Sequence, residues 1–175
     1  HPNVDAGVHE FTKTGRKSDK FGVSIEAAKD LVKKCSKSTS LKLVGLTCHI
    51  GSQIMELKGF EDAAKQALEL LIELDRLEIN LDFIDMGGGL GVNYVGEETI
   101  QPFELIDSYE KIFAGRKERL ILEPGRSISA NAGIMLTRVE YKKNNFLIAD
   151  AAMNDLLRPA LYQAHHDVWP VRKTG

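Results

Sequence analysis

Leu81-Asp82-Phe83-Ile84-Asp85-Met86-Gly87-Gly88-Gly89-Leu90-Gly91 is the stretch whose reading decides the fold. Its first six residues are too few for a helix and break at once into glycine, so they read as a buried strand opening into a loop almost free of side chains. On either side the period changes from strand to helix. Upstream, Phe60 to about Leu77 carries an apolar stripe of Phe60, Ala63, Ala64, Ala67, Leu68, Leu71 and Leu74. Downstream, a polar loop leads to Pro102, suited to a first helical turn, and the helix is expected to run to about Phe113.

Further outward the theme repeats. Ile25 to Lys37 predicts a helix with Ile25, Ala28, Leu31, Val32 and Cys35 on one face and Ser24 as its N-cap. Leu43 to His49 and Leu120 to Glu123 predict two more short strands, each ending in polar residues or a Pro-Gly turn. Strands alternating with helices at this spacing predict parallel pairing through crossover helices. The fold class expected is α/β, a partial (β/α)8 TIM-like barrel, because the strands carry their reactive side chains at one edge. An open doubly wound sheet has the same periodicity, so periodicity alone leaves both open.

After about residue 134 no helix intervenes. Ile134 to Tyr141, a Lys-Lys-Asn-Asn turn and Phe146 to Asp150 predict an antiparallel hairpin. Two domains are therefore expected: residues 1–134 as the C-terminal part of a barrel, and 135–175 as the opening strands of a β-sandwich or β-barrel domain. The chain begins at His1 as though in mid-strand and stops just after an extended stretch, so both ends are read as truncations of a longer parent.

Composition narrows the partners. Net charge is −2 and 27% of the 175 residues are charged, a balance that gives no sign of a nucleic-acid or anionic-membrane partner. No apolar stretch is long enough to cross a bilayer, and no basic segment followed by an apolar run marks a secretory signal. Cys35 and Cys48 lack metal-site spacing and are expected to be buried, reduced thiols, which suits the cytoplasm.

Five clusters carry chemistry. His49 stands at a strand end before Ile50-Gly51-Ser52-Gln53; a histidine there can be structural, but a Gly-Ser loop frees backbone N–H groups to meet an anion. The run Gly87-Gly88-Gly89-Leu90-Gly91 fails as a dinucleotide fingerprint, since Val92 and Tyr94 stand where the third glycine is needed. Consecutive glycines after a buried strand let a backbone approach a phosphate closely. Glu123-Pro124-Gly125-Arg126 sets a carboxylate and a guanidinium three residues apart. They pair with each other, or serve two parts of one charged ligand. The stretches Asp150 to Asp155 and Arg158 to Tyr162 complete the set. Arg158 and Tyr162 are either ordinary loop residues or a grip for a substrate carboxylate.

Taken together, these clusters resemble the fold-type III pyridoxal-phosphate-dependent decarboxylases. The resemblance rests on Thr14-Gly15 through Gly22, Cys48 to Gln53, Gly87 to Gly91, Glu123 to Ser127 and Asn154 to Tyr162, which occur in family order along nearly the whole chain. The last stretch points to the branch acting on diaminopimelate. The resemblance implies pyridoxal 5′-phosphate as cofactor, with His49 stacked on its ring and Ser52 and the Gly87, Gly88 and Gly89 backbone at its phosphate. The loop at Gly125 and Arg126 would assist there, and Glu123 would hold the pyridine nitrogen protonated. Arg126, Arg158 and Tyr162 would bind the substrate, and no metal is implied. It also implies a cytoplasmic homodimer with a shared active site, in lysine biosynthesis. The family's Schiff-base lysine would lie upstream of His1 and a partner-completing cysteine segment downstream of Gly175, so these residues alone are expected to be inactive. Ala152 and Gln163 depart from the family by standing where glycine is usual.

Three other readings compete. A metal-dependent barrel enzyme would use His49, Asp85, Glu123 and Asp150, but leaves the glycine loop unexplained. A non-catalytic relative would keep the fold and only bind a partner. A relative within the family would act on ornithine, arginine or carboxynorspermidine.

Overall fold

The computed structural model describes residues 1–8 and 13–172. At its centre is a parallel three-stranded sheet of β1 (Gly45–Thr47), β2 (Phe83–Asp85) and β3 (Arg119–Ile121), in the order β1-β2-β3. Leu46, Ile84 and Leu120 lie level across it, as do Thr47, Asp85 and Ile121. The protein is thus α/β. The strands are shorter than the sequence predicts, yet single backbone bonds carry the pairing past their ends. Cys48 N–H donates to Asp85 O (2.8 Å), Met86 N–H to Ile121 O (3.0 Å) and Glu123 N–H to Gly87 O (2.8 Å).

Helix α2 (Leu57–Arg76) crosses from β1 to β2 and supplies more of the core than any other element among the described residues. It starts three residues before the predicted Phe60. Phe60, Ala63, Ala64, Ala67, Leu71 and Leu74 are buried as the stripe requires, and Leu70 joins them, whereas Leu68 is only partly buried. Over five turns the buried face is wider than a single line of residues, so its flanks are decided by what packs there. One such partner is α3 (Pro102–Ile112), which follows β2 and contributes buried Leu105 and Tyr109. Its first turn holds Pro102 and a reciprocal cap in which Gln101 N–H donates to Glu104 Oε2 at 2.7 Å.

Helix α1 (Ile25–Ser36) is capped as expected, Ser24 Oγ accepting from Ala27 N–H at 3.1 Å. Its predicted face is only partly used: Val32 is buried, but Leu31 is 47% exposed. The helix touches the margin of the core, so periodicity marked more residues than packing covers. Two short helices, α4 (Arg126–Ser129) and α5 (Arg158–Tyr162), replace what the sequence reads as loop. Between them β4 (Val139–Lys143) and β5 (Phe146–Ala149) form an antiparallel hairpin, with Asn144 in the left-handed region (φ 53°) at its turn. No helix among the described residues is long and apolar enough to cross a membrane.

Candidate active site

Because Thr47, Asp85 and Ile121 are level in the sheet, the residues two positions beyond them leave the same edge together: His49, Gly87 and Glu123. Three of the sequence clusters, far apart in the chain, are thereby neighbours. Gly88 N–H donates to His49 Nδ1 at 3.3 Å. The turn depends on glycine at two points. Gly87 has φ 66°, and a Cβ there would strike the Cys48 carbonyl oxygen; a Cβ on Gly88 would collide with the carbonyl oxygen of Glu123. Asp85 anchors the turn from below, its buried carboxylate accepting the Gly87 N–H at 2.8 Å.

The loop after His49 is laced to the same glycines. Ile54 N–H donates to Gly89 O and Gly91 N–H to Ile54 O, both at 2.9 Å. Gln53, at φ 65°, closes the seam: its Nε2 donates to Val92 O (2.6 Å) and its Oε1 accepts from Val92 N–H (3.2 Å). Half-buried Ser52 rides on this loop. Beneath it, Cys48 Sγ lies 3.8 Å from Met86 Sδ, and burial pushes its thiol up to about 11. Cys35 and Cys48 are both free, but each is half-buried rather than fully buried as expected, for α1 and the end of β1 lie at the edge of the core.

Beside this edge lies a cavity of about 280 Å³, lined among others by Gln53, Tyr94, Arg126, Arg158 and Tyr162. Arg126 and Arg158 each open a short helix, and Tyr162 ends the second. Arg126 Nη1 donates to Gln53 Oε1 (3.3 Å), and Arg158 Nη1 to the Tyr94 hydroxyl (3.1 Å). Burial, with the Arg158 charge next to it, pulls the Arg126 pKa below its ordinary value. Glu123 and Arg126 form no ion pair among the described residues: Glu123 stays exposed while Arg126 turns to Gln53. Of the two readings of that pair, the self-paired one fails.

Three residues of this assembly were not singled out from sequence. Gln53 carried a faint signal by following His-Ile-Gly-Ser directly. Tyr94 carried none, and neither did His166, whose Nε2 lies 3.4 Å from Arg158 Nη1, for both stand in stretches without period. Gln163, where glycine was expected, adopts φ 52°, so the backbone asks there for the residue the sequence lacks. Among the described residues, no three of His, Cys, Asp or Glu gather closely enough to hold a metal ion. Asp85 is occupied with Gly87, and Asp150 with Thr137 and Arg138 in the hairpin.

Residues 1–130 match the family model described as pyridoxal-dependent decarboxylase, pyridoxal binding domain. The chain belongs to this decarboxylase family. Diaminopimelate decarboxylase of Pseudomonas aeruginosa is 45% identical over 176 residues, covering 98% of the chain and 42% of that protein. The Haemophilus influenzae enzyme of the same name is 42% identical over 99% of the chain and 43% of its own length. A crystal structure of diaminopimelate decarboxylase from Helicobacter pylori complexed with L-lysine superposes with a TM-score of 0.91 at 42% identity, over 95% of this chain and 43% of that one. The chain thus spans about two fifths of the length of these decarboxylases.

Proposed function

We propose that the protein to which these residues belong decarboxylates meso-2,6-diaminopimelate to L-lysine and CO2, the last step of lysine biosynthesis, with pyridoxal 5′-phosphate as cofactor. The observation that carries this reading is the meeting of His49, Gly87 and Glu123 at one sheet edge beside a cavity lined by Arg126, Arg158 and Tyr162. The residues present fit the cofactor. The glycine turn has no room for a side chain at Gly87, Gly88 or Gly89, so bare backbone stands where a phosphate would approach. When bound, the pyridine ring supplies a sink for the electron pair released as CO2 leaves.

Each residue then has a task. His49 packs its exposed ring on the cofactor. Ser52, the Gly87, Gly88 and Gly89 backbone and the loop at Gly125 and Arg126 hold the phosphate. Glu123 keeps a proton on the ring nitrogen. Arg126, Arg158 and Tyr162 grip the substrate, whose second amino-acid end lies far from the reacting carbon, and so aim the carboxylate to be lost. The three parallel strands fit part of a (β/α)8 barrel ending near residue 134, with the hairpin opening a β domain over 135–175. A cytoplasmic homodimer with a shared active site completes the reading, and the lysine carrying the cofactor lies outside residues 1–175.

The test supplies meso-diaminopimelate and pyridoxal phosphate to the full-length protein and measures CO2 and lysine together. Equal release of both is expected, and none from residues 1–175 alone. Cofactor binding without either product would rule out this substrate and turn the search to ornithine, arginine and carboxynorspermidine.

A further inference from the structure

Arg126 and Arg158 line one cavity, and among the described residues neither has a carboxylate within ion-pair distance. Two like charges side by side repel, and long side chains swing apart into water unless held. Tyr94 does the holding. Arg158 Nη1 donates to its hydroxyl at 3.1 Å, and the same guanidinium lies 5.1 Å from the centre of its ring. His166 Nε2 is 3.4 Å from that Nη1, and its ring centre is 5.6 Å from that of Tyr94. Among the described residues Arg158 Nε is shut away from solvent with no acceptor, while its Nη1 meets Tyr94 and His166. Arg126, lining the same cavity, donates instead to Gln53 Oε1 at 3.3 Å. Two neutral oxygens, a phenol and an amide, therefore hold the two guanidiniums.

We propose that Tyr94 is a positioning residue that holds Arg158 beside Arg126, so that the two make a two-pronged site for the substrate carboxylate remote from the reacting carbon. This rests on the decarboxylase reading above. Its chemistry is simple: a neutral oxygen acceptor orders the Arg158 cation without neutralising it, leaving its charge, with that of Arg126, for an anionic ligand. A carboxylate in place of that phenol would occupy Arg158 itself.

The experiment compares the full-length protein with its Tyr94→Phe and Tyr94→Leu variants, each loaded with pyridoxal phosphate. Phenylalanine keeps the ring beneath Arg158 and removes the acceptor; leucine removes both. Loss of one hydrogen bond to a charged group predicts a KM for diaminopimelate raised about tenfold in Tyr94→Phe and further in Tyr94→Leu. The expected kcat stays within about twofold by the logic of a ground-state contact kept in the transition state, and the cofactor absorbance is unchanged. Inhibition by L-lysine, which keeps the remote carboxylate, should weaken in parallel with KM. Unchanged KM and lysine inhibition in Tyr94→Phe would overturn the proposal, as would a loss confined to kcat or to cofactor occupancy. Tyr94→Phe decides alone if the leucine variant fails to fold. If the unaltered protein left diaminopimelate untouched, the decarboxylase reading would fall and take this site with it; turnover by the unaltered protein with indifferent variants would sink Tyr94 alone.

Discussion

Around β2, Ile84 is 3% exposed and Met86 2%, whereas Ile134 before the hairpin is 96% exposed and Trp169 beyond it 76%. The first region covers its apolar side chains with α2 and α3; in the second, every residue of β4 is exposed and the strands are joined by backbone and polar contacts. Both regions have regular hydrogen bonding, so regularity does not separate them. The difference teaches that burial, not secondary structure, marks where this chain supplies its own stability. The strand-edge cluster leaves the ends of the buried strands, and the arginine of α5 is tied to the loop that follows β2 through Tyr94.

The contrast breaks if the two regions respond alike to substitution. Phe60→Ala, at a side chain 1% exposed in the first turn of α2, is expected to cost about 3–5 kcal/mol through lost transfer energy and a residual cavity. Chemical denaturation measures it; a loss below about 1 kcal/mol would mean that α2 packs more loosely than its burial implies. Asp150→Ala removes the acceptor of Thr137 Oγ1 and of Arg138 N–H, both at 2.8 Å. Amide exchange at Arg138 should quicken about tenfold, the equivalent of one hydrogen bond, with Phe60 and its neighbours unaffected. Acid should act in the same way. The Arg138 backbone bond, then Thr137, holds the Asp150 pKa below 3.8. Protection at Arg138 therefore persists above the ordinary carboxylate range and fades as pH falls below it. The smallest effect belongs to Ile134→Ser, expected within about 0.5 kcal/mol because that side chain has almost nothing to lose. A larger loss would show that the hairpin region buries its apolar side chains after all.

Much of this architecture was legible before any coordinates. The stripe of α2, the proline and cap of α3 and the Ser24 cap of α1 are local patterns, each written within a few turns of helix. Strand lengths were overread, because apolar character at Leu43, Leu81 and Leu122 extends beyond the residues that pair. Helices α4 and α5 were missed since a single turn is too short for a period to register.

By itself, the sequence determined the order of helices and strands, the apolar faces, and the glycine turn after β2, because backbone freedom and side-chain period act between near neighbours in the chain. Tertiary structure alone decided that Gln53 would meet Arg126 across 73 residues and Tyr94 would meet Arg158 across 64. Such contacts follow from the register of parallel strands and the placing of the loops beyond them. A hydrogen bond between distant side chains leaves no period in the sequence, so only packing could disclose which acceptors hold the two arginines.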